Sequence, residues 1–238
     1  MSTTKGTLYL IPTRLGDNPP LEVLPISIKK IIEDVEYYIV ENEKTARRFI
    51  KRVSPSKSQP SLKLKVLNKY TTETERNTYL NSCIEGHSIG LLSEAGCPAI
   101  ADPGADIVAL AHQMNIKVVP LVGPSSITLA LMASGMNGQS FTFNGYLPID
   151  RHERKTKLKT LERLSSEHNQ AQIFIETPYR NMKMLDDLAN TLHPSTKVCV
   201  ACDLTLPTEF IRTKPAKDWK HNKEDLHKRP AIFIIQKD

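Results

Sequence analysis

The chain has 238 residues, 39% hydrophobic and 24% charged, with a formal net charge of +6 at pH 7. This length accommodates one large or two modest domains, and the balance of apolar and charged residues excludes a disordered or fibrous chain. The positive charge permits a polyanionic partner such as RNA without requiring one. No apolar run approaches the roughly 20 residues of a membrane span, and Leu8-Tyr-Leu-Ile-Pro12 is too short for the apolar core of a secretory signal, so a cytoplasmic protein is expected.

Short apolar runs alternate with longer amphipathic stretches. Residues 7–11 read as a strand running into Pro12, residues 21–35 as a helix and residues 36–40 as a second strand. Residues 43–52 form a basic helix with Ala46, Phe49 and Ile50 on one face, followed by a polar loop at 54–60. Another strand is expected at 62–67, a helix at 73–85, and a strand at 88–92 ending at Ser93-Glu-Ala-Gly96. A helix at 105–114 and a strand at 117–121 complete a β-α-β alternation, the pattern of a largely parallel sheet covered by helices.

After Pro120 the pattern changes. Ser125 and Ser126 are suited to cap a helix over 125–133. Strands follow at 141–144, 172–176, 197–202, 209–213 and 231–236, interrupted by helices at 153–164 and 180–192. Late strands without regular intervening helices predict a mixed sheet in a second domain. The fold class is therefore α/β in two domains, divided near 114–122 and taken as 1–116 and 117–238.

Cys199 and Cys202 form a C-x-x-C, which can mark a redox pair or half a zinc site. Their setting in the apolar run Lys197-Val-Cys-Val-Ala-Cys202, with no second Cys/His pair nearby, favours buried free thiols. His87, His112, His193 and His221 lack metal-ligand spacing, and no metal is expected.

Chemistry concentrates in Gly90-Leu-Leu-Ser-Glu-Ala-Gly-Cys-Pro-Ala-Ile-Ala-Asp-Pro-Gly104. An apolar strand delivers the chain into a turn holding Gly96, Pro98, Asp102, Pro103 and Gly104 before the next helix. Open α/β sheets bind ligands at the carboxyl ends of their strands. Glycine and proline there fix a contorted backbone that presents amides and carbonyls. The loop matches neither the G-x-G-x-x-G nor the G-x-x-x-x-G-K-[ST] phosphate-binding pattern, so any adenosine-containing cofactor is held differently.

Ser93-Glu-Ala-Gly-Cys-Pro-Ala-Ile-Ala-Asp-Pro-Gly104 resembles the S-D-A-G-T-P-x-I-S-D-P-G motif of the ribosomal RNA small subunit methyltransferase I family, a branch of the tetrapyrrole methylase superfamily. Further segments match in order: Leu8-Tyr-Leu-Ile-Pro-Thr13, Val118-Val-Pro-Leu-Val-Gly-Pro-Ser-Ser126, Gly145-Tyr-Leu-Pro148, Ile175-Glu-Thr-Pro-Tyr-Arg180, and Ala201-Cys-Asp-Leu-Thr205 with Glu209-Phe-Ile-Arg212. The resemblance implies two α/β domains with S-adenosyl-L-methionine in the cleft between them. It also implies methylation of a ribose 2′-hydroxyl, a cytidine's, in the RNA of the small ribosomal subunit, and a homodimer. Carried over position by position, the cofactor contacts fall on Pro12, Ser93, Glu94, Ala95, Gly96, Pro98, Ser125, Ser126, Tyr146, Leu147, Thr205 and Ala231.

The sequence departs from the family pattern mainly at polar positions. The family's E-D-T-R stands here as Glu41-Asn-Glu-Lys44, its H-N-E as Thr71-Thr-Glu73, and the arginine of its R-E-L-T as Cys202. Glu94 replaces the aspartate of the first motif, and a C-terminal extension of many members has no counterpart. Two alternatives therefore stay open: a methylase of a tetrapyrrole or other small molecule, and a non-catalytic ribosome-binding relative.

A ribose hydroxyl is a poor nucleophile, so a base assists methyl transfer. Glu94 and Glu176, each at the end of an expected strand, are the candidates; the competing reading is a loop cap, or a pair with Arg180 for Glu176. For RNA phosphates, Arg151, Arg154, Lys155 and Lys159 cluster on the helix after Gly145-Tyr-Leu-Pro148, and Arg47, Arg48, Lys51 and Arg52 form a second basic patch.

Overall fold

The computed structural model describes residues 4–237 and divides into two compact units, Met1–Ser125 and Ser126–Asp238. The first unit begins with β1 (Thr7–Ile11), a 3-10 turn at Pro20–Glu22, α1 (Ile26–Asp34), β2 (Tyr37–Val40), α2 (Glu43–Val53) and β3 (Lys63–Val66). Two short helices, α3 (Glu73–Arg76) and α4 (Asn81–Ile84), lead to β4 (Ile89–Leu92), α5 (Ala105–Gln113) and β5 (Lys117–Pro120). The five strands form one sheet in the order β3-β2-β4-β1-β5, every pair parallel. All four residues of the central β4 are buried, as expected for a strand covered on both faces.

Strand alternation sorts the core into two layers. Tyr38 and Val40 face α1 and α2, packing with Ile11, Ile28, Ile32 and Ile50. Ile39 faces the other way, toward Leu8, Leu80, Ile107 and Ala111. Complete burial of a side chain such as Ile28 or Ile50 contributes about 1.5–3 kcal/mol. The Tyr38 hydroxyl bonds to the Ile32 and Val35 carbonyls at 3.2 and 3.0 Å, satisfying its polar end at the close of α1.

Two expected helices are shorter than their periodicity suggests. Over 21–35, Pro25 becomes the N-cap of α1, because proline cannot continue a preceding turn of helix. Over 73–85, a Thr72–Glu75 capping box starts α3, but the Thr78 hydroxyl donates to the Glu75 carbonyl at 2.7 Å, side-chain bonding that competes with helix continuation.

The second unit comprises α6 (Ser126–Ser134), β6 (Phe141–Tyr146), α7 (Arg151–His168), β7 (Ala171–Ile175), α8 (Asn181–Thr191), β8 (Lys197–Cys202), β9 (Phe210–Pro215) and β10 (Ala231–Gln236). Its sheet runs β6-β7-β10-β8-β9; β6 and β7 are parallel and the remaining pairs antiparallel, the mixed sheet that the sequence predicts. Helix α7 outruns its expected span at both ends. Asp150 caps it by accepting the His152 and Glu153 amides, and Asn169 ends it in the left-handed conformation.

The expected divide at 116/117 does not coincide with the units. Strand β5 pairs with β1, Tyr9 beside Val119, so residues 117–125 belong to the first unit. Cys199 and Cys202 lie on β8, fully buried and unpaired.

Candidate active site

Because all strands of the first sheet point one way, the residues leaving β1, β2, β4 and β5 gather on one rim. Thr13 donates its amide to the Gly96 carbonyl at 2.9 Å, and the buried Ser93 hydroxyl donates to the same oxygen at 2.6 Å. These bonds pin the turn after β4 to the loop after β1. A Cβ on Gly123 would lie 2.2 Å from Cγ of Pro12, so the loop after β5 also closes against Pro12 with room only for hydrogen. Beyond Gly96, Ala99 and Ala101 adopt φ of 64° and 59°, the left-handed region that costs an alanine free energy. Such strain persists where surrounding contacts over-determine the backbone, and it collects at ligand sites.

Three carboxyl groups meet on this rim. Glu41 follows β2, Glu94 follows β4 and Asp102 sits in the strained loop. Burial, then the charges of Asp102 and Glu94, push the Glu41 carboxyl up to about 7, against the opposing bond from the Glu94 backbone. Burial and Glu94 likewise raise Asp102 to about 6. Glu41 Oε1 and Asp102 Oδ2 are buried without a hydrogen-bond partner among the described residues. Glu94 is exposed, its Oε1 held at 2.6 Å by the Thr45 hydroxyl on the first turn of α2. The Asn42 side chain caps that turn.

Next to Glu94 is a cavity of about 200 Å³ between the loop after β1, the start of α2 and the end of β4. Ala46, Phe49 and Leu92 supply an apolar floor, and Arg14, Asp17, Arg48 and Glu94 the charged wall. Arg14 is engaged with the Asn18 carbonyl and with Asp17 at 2.7 Å. Exposed Arg48 makes no hydrogen bond or ion pair among the described residues.

In the second unit another rim collects the ends of β6, β7 and β8 with the start of β10: Tyr146 pairs with Ile175, and Ala231 lies opposite Cys202. Tyr146 is exposed, whereas Leu147 is buried in the core. After β8, Asp203 and Thr205 take φ of 51° and 72°. Arg229 holds Asp203 at 2.8 Å, and the buried Thr205 hydroxyl has no partner among the described residues.

The family model for tetrapyrrole (corrin/porphyrin) methylases matches residues 21–219. The chain belongs to this family. This methylase is 30% identical over 231 residues to a ribosomal RNA small subunit methyltransferase I of Vibrio cholerae, covering 96% of this chain and 76% of that relative. A protein of the same name from Escherichia coli O157:H7 is 27% identical, covering 98% and 78%. Its namesake from Xylella fastidiosa is 30% identical, covering 98% and 82%. Among solved structures, a cobalt precorrin-4 methyltransferase of cobalamin biosynthesis matches with a TM-score of 0.61 at 17% identity, covering 97% of this chain and 94% of that one. The methyltransferase CobJ matches at 0.62 and 14%, again over 97% and 94%. At that identity they establish the fold alone. The chain is an enzyme, a methyltransferase.

Seen residue by residue, the methylase divides its expected cofactor positions between the rims. Pro12, Ser93, Glu94, Ala95, Gly96, Pro98 and Ser125 lie on the first unit's rim or its final loop, whereas Tyr146, Leu147, Thr205 and Ala231 lie on the second's and Ser126 opens α6. Of the two expected bases, Glu176 is buried and its Oε1 receives the Thr177 amide at 2.6 Å and Arg180 at 2.5 and 3.0 Å, which commits it to closing its own turn.

The expected RNA contact Arg154 needs correction. It is 2% exposed, bonds to Asp187 at 2.5 and 2.9 Å, and donates to the Pro148 and Ile149 carbonyls, so it is structural and unavailable to phosphate. Arg151 is exposed with Nε 3.3 Å from Asp187; Lys155 and Lys159 make no ion pair among the described residues. In the second basic patch, Arg47 binds Glu43, Lys51 the Pro55 carbonyl and Arg52 Asp17, which leaves Arg48. Glu41 was not among the residues expected at the site. Its one sequence signal is its place directly after a parallel strand, level with Pro12 and Ser93.

Proposed function

We propose that this methylase transfers a methyl group from S-adenosyl-L-methionine to a ribose 2′-hydroxyl, a cytidine's, in the RNA of the small ribosomal subunit. The observation that carries this reading is the exposed Glu94 carboxylate, fixed by Thr45 beside a cavity with charged walls at the carboxyl end of a parallel sheet. The name shared by the relatives from Vibrio cholerae, Escherichia coli and Xylella fastidiosa supports the acceptor.

The residues present fit the cofactor. Gly96 and Gly123 keep the first rim free of side chains where loops close tightly, and the Thr205 hydroxyl, without a partner among the described residues, offers a polar contact in the second unit. On the family pattern, Pro12, Ser93, Ala95, Gly96, Pro98, Ser125, Ser126, Tyr146, Leu147, Thr205 and Ala231 would hold it. The cofactor, when bound, supplies a methyl already activated on a sulfonium. What remains for the chain is positioning and exclusion of water, which together can supply most of the acceleration. Glu94 accepts the hydroxyl proton at its carboxylate, and Thr45 holds that carboxylate in place. Glu41 and Asp102 stand on the same rim, both raised toward their neutral forms by burial and by the Glu94 charge. A homodimer in the cytoplasm, where ribosomal subunits are found, completes the proposal.

The test is methyl transfer from labelled S-adenosyl-L-methionine to small subunits from cells lacking this protein, with mapping of the modified nucleotide. A single ribose methyl is expected, and Glu94→Gln should lower the single-turnover rate by about 10²–10⁴-fold. Label confined to a soluble corrin or porphyrin precursor, or cofactor binding without turnover on any RNA, would overturn the reading.

A further inference from the structure

The cavity beside Glu94 is small and open to solvent on one side. At about 200 Å³ it falls below the roughly 300–1,000 Å³ of sites that engulf a drug-sized ligand. An open recess of this order can seat one base with its sugar. The lining is selective. Phe49, Ala46 and Leu92 offer an apolar floor, and Glu94, held by the Thr45 hydroxyl, offers an acceptor. Two guanidinium groups stand on the wall opposite two carboxylates, Asp17 and Glu94, and the guanidiniums differ. Arg14 is tied to Asp17 and the Asn18 carbonyl, while Arg48 is exposed and uncommitted among the described residues. An uncommitted cation beside an apolar floor and a carboxylate acceptor suits a ligand with one phosphodiester, one flat ring and one hydroxyl.

We infer that this cavity is the acceptor subsite and takes a single unpaired nucleotide, its phosphodiester on Arg48 and its ribose hydroxyl against Glu94. The inference rests on the proposed RNA acceptor and deepens it. A stacked, paired base cannot enter a cavity of this size while its partner strand remains attached, so the target segment must be single-stranded or its nucleotide extruded. Arg48 binds the acceptor in ground state and transition state alike, so its removal acts on KM and leaves kcat in place.

The experiment uses the full chain and its Arg48→Glu and Arg48→Gln variants. A labelled mixed-sequence RNA of about eight nucleotides is titrated single-stranded and as a duplex, and S-adenosyl-L-methionine is titrated by calorimetry. Arg48→Glu should weaken single-strand binding about tenfold and reduce the salt slope of log K by about one phosphate contact. Cofactor affinity should stay within about twofold, and the native chain should bind duplex more weakly than single strand. On small subunits the variants should raise KM with kcat changed less than about twofold. Unchanged RNA affinity and KM in Arg48→Glu would overturn the inference, as would a tenfold loss of cofactor affinity, which would assign the cavity to the cofactor. If the native chain methylates no RNA, the proposed acceptor fails, and the oligonucleotide titration still decides whether Arg48 contacts a strand.

Discussion

Glu41 shows how a residue's chemistry depends on neighbours that its local sequence does not reveal. Its carboxyl is lifted from 4.5 to about 7, so the folded chain holds this proton more tightly than the unfolded one. Stability therefore falls as pH rises from about 4.5 to about 7, and the full penalty of the buried charge is present above that range. Glu41→Gln removes the charge. The variant should exceed the native chain in stability at pH 8 by on the order of 1–2 kcal/mol, a figure reduced for solvent screening, and the advantage should vanish below about pH 4.5. Urea unfolding at both ends of that range checks it; equal stability at pH 8 would mean that the carboxyl is solvated. Reading the sequence reached Glu94 through its motif and missed Glu41, because proximity among the ends of β2, β4 and the 99–104 loop is set by strand order. Arg154 was misjudged although a signal was present. It lies four residues before Leu158 and seven before Leu161, on the face that packs inward.

At the level of elements, the same Arg154 is the clamp between α7 and α8. Its guanidinium and the Asp187 carboxylate are both almost fully buried, and Arg151 reaches Asp187 from the outside. Arg154→Met leaves Asp187 without its buried partner, and such losses run to about 3–5 kcal/mol, here toward the lower end because Arg151 remains. Arg154→Met combined with Asp187→Leu should recover most of that stability, since an apolar pair of similar volume needs no compensating charge. Denaturant midpoints of the single and double variants decide the matter. If the single variant loses less than about 1 kcal/mol, the pair is not the buried ion pair described. Helix extents also belong to this scale. Periodicity located α2 and α5 well, but Pro25 and Thr78 shortened the first and third expected helices by local chemistry that the apolar pattern does not register.

Across the whole molecule, the fold class was legible because helix and strand periods alternate in the first half and cease to do so in the second. The divide between units was not. Residues 117–120 resemble the start of something new, yet their hydrogen-bonding partner is β1, more than a hundred residues earlier, and no local pattern announces a long-range pairing. Most of the expected cofactor positions fell on the two sheet rims for a simple reason: glycine and proline are conspicuous, and loops rich in them follow the strands.

The cysteines give the molecule a reporter system of its own. Cys83 sits in the interior of one unit, Cys199 and Cys202 in that of the other, while Cys97 alone is partly accessible. A thiol-alkylating reagent should thus modify the native protein once, at Cys97, at a rate slowed by the burial that raises its thiol, and reach the others only when their own unit opens. Following the rates at Cys83 and at the β8 pair by mass spectrometry, as denaturant is raised, would show whether the halves melt together or in turn. Rapid modification of all four sites without denaturant would contradict the burial described.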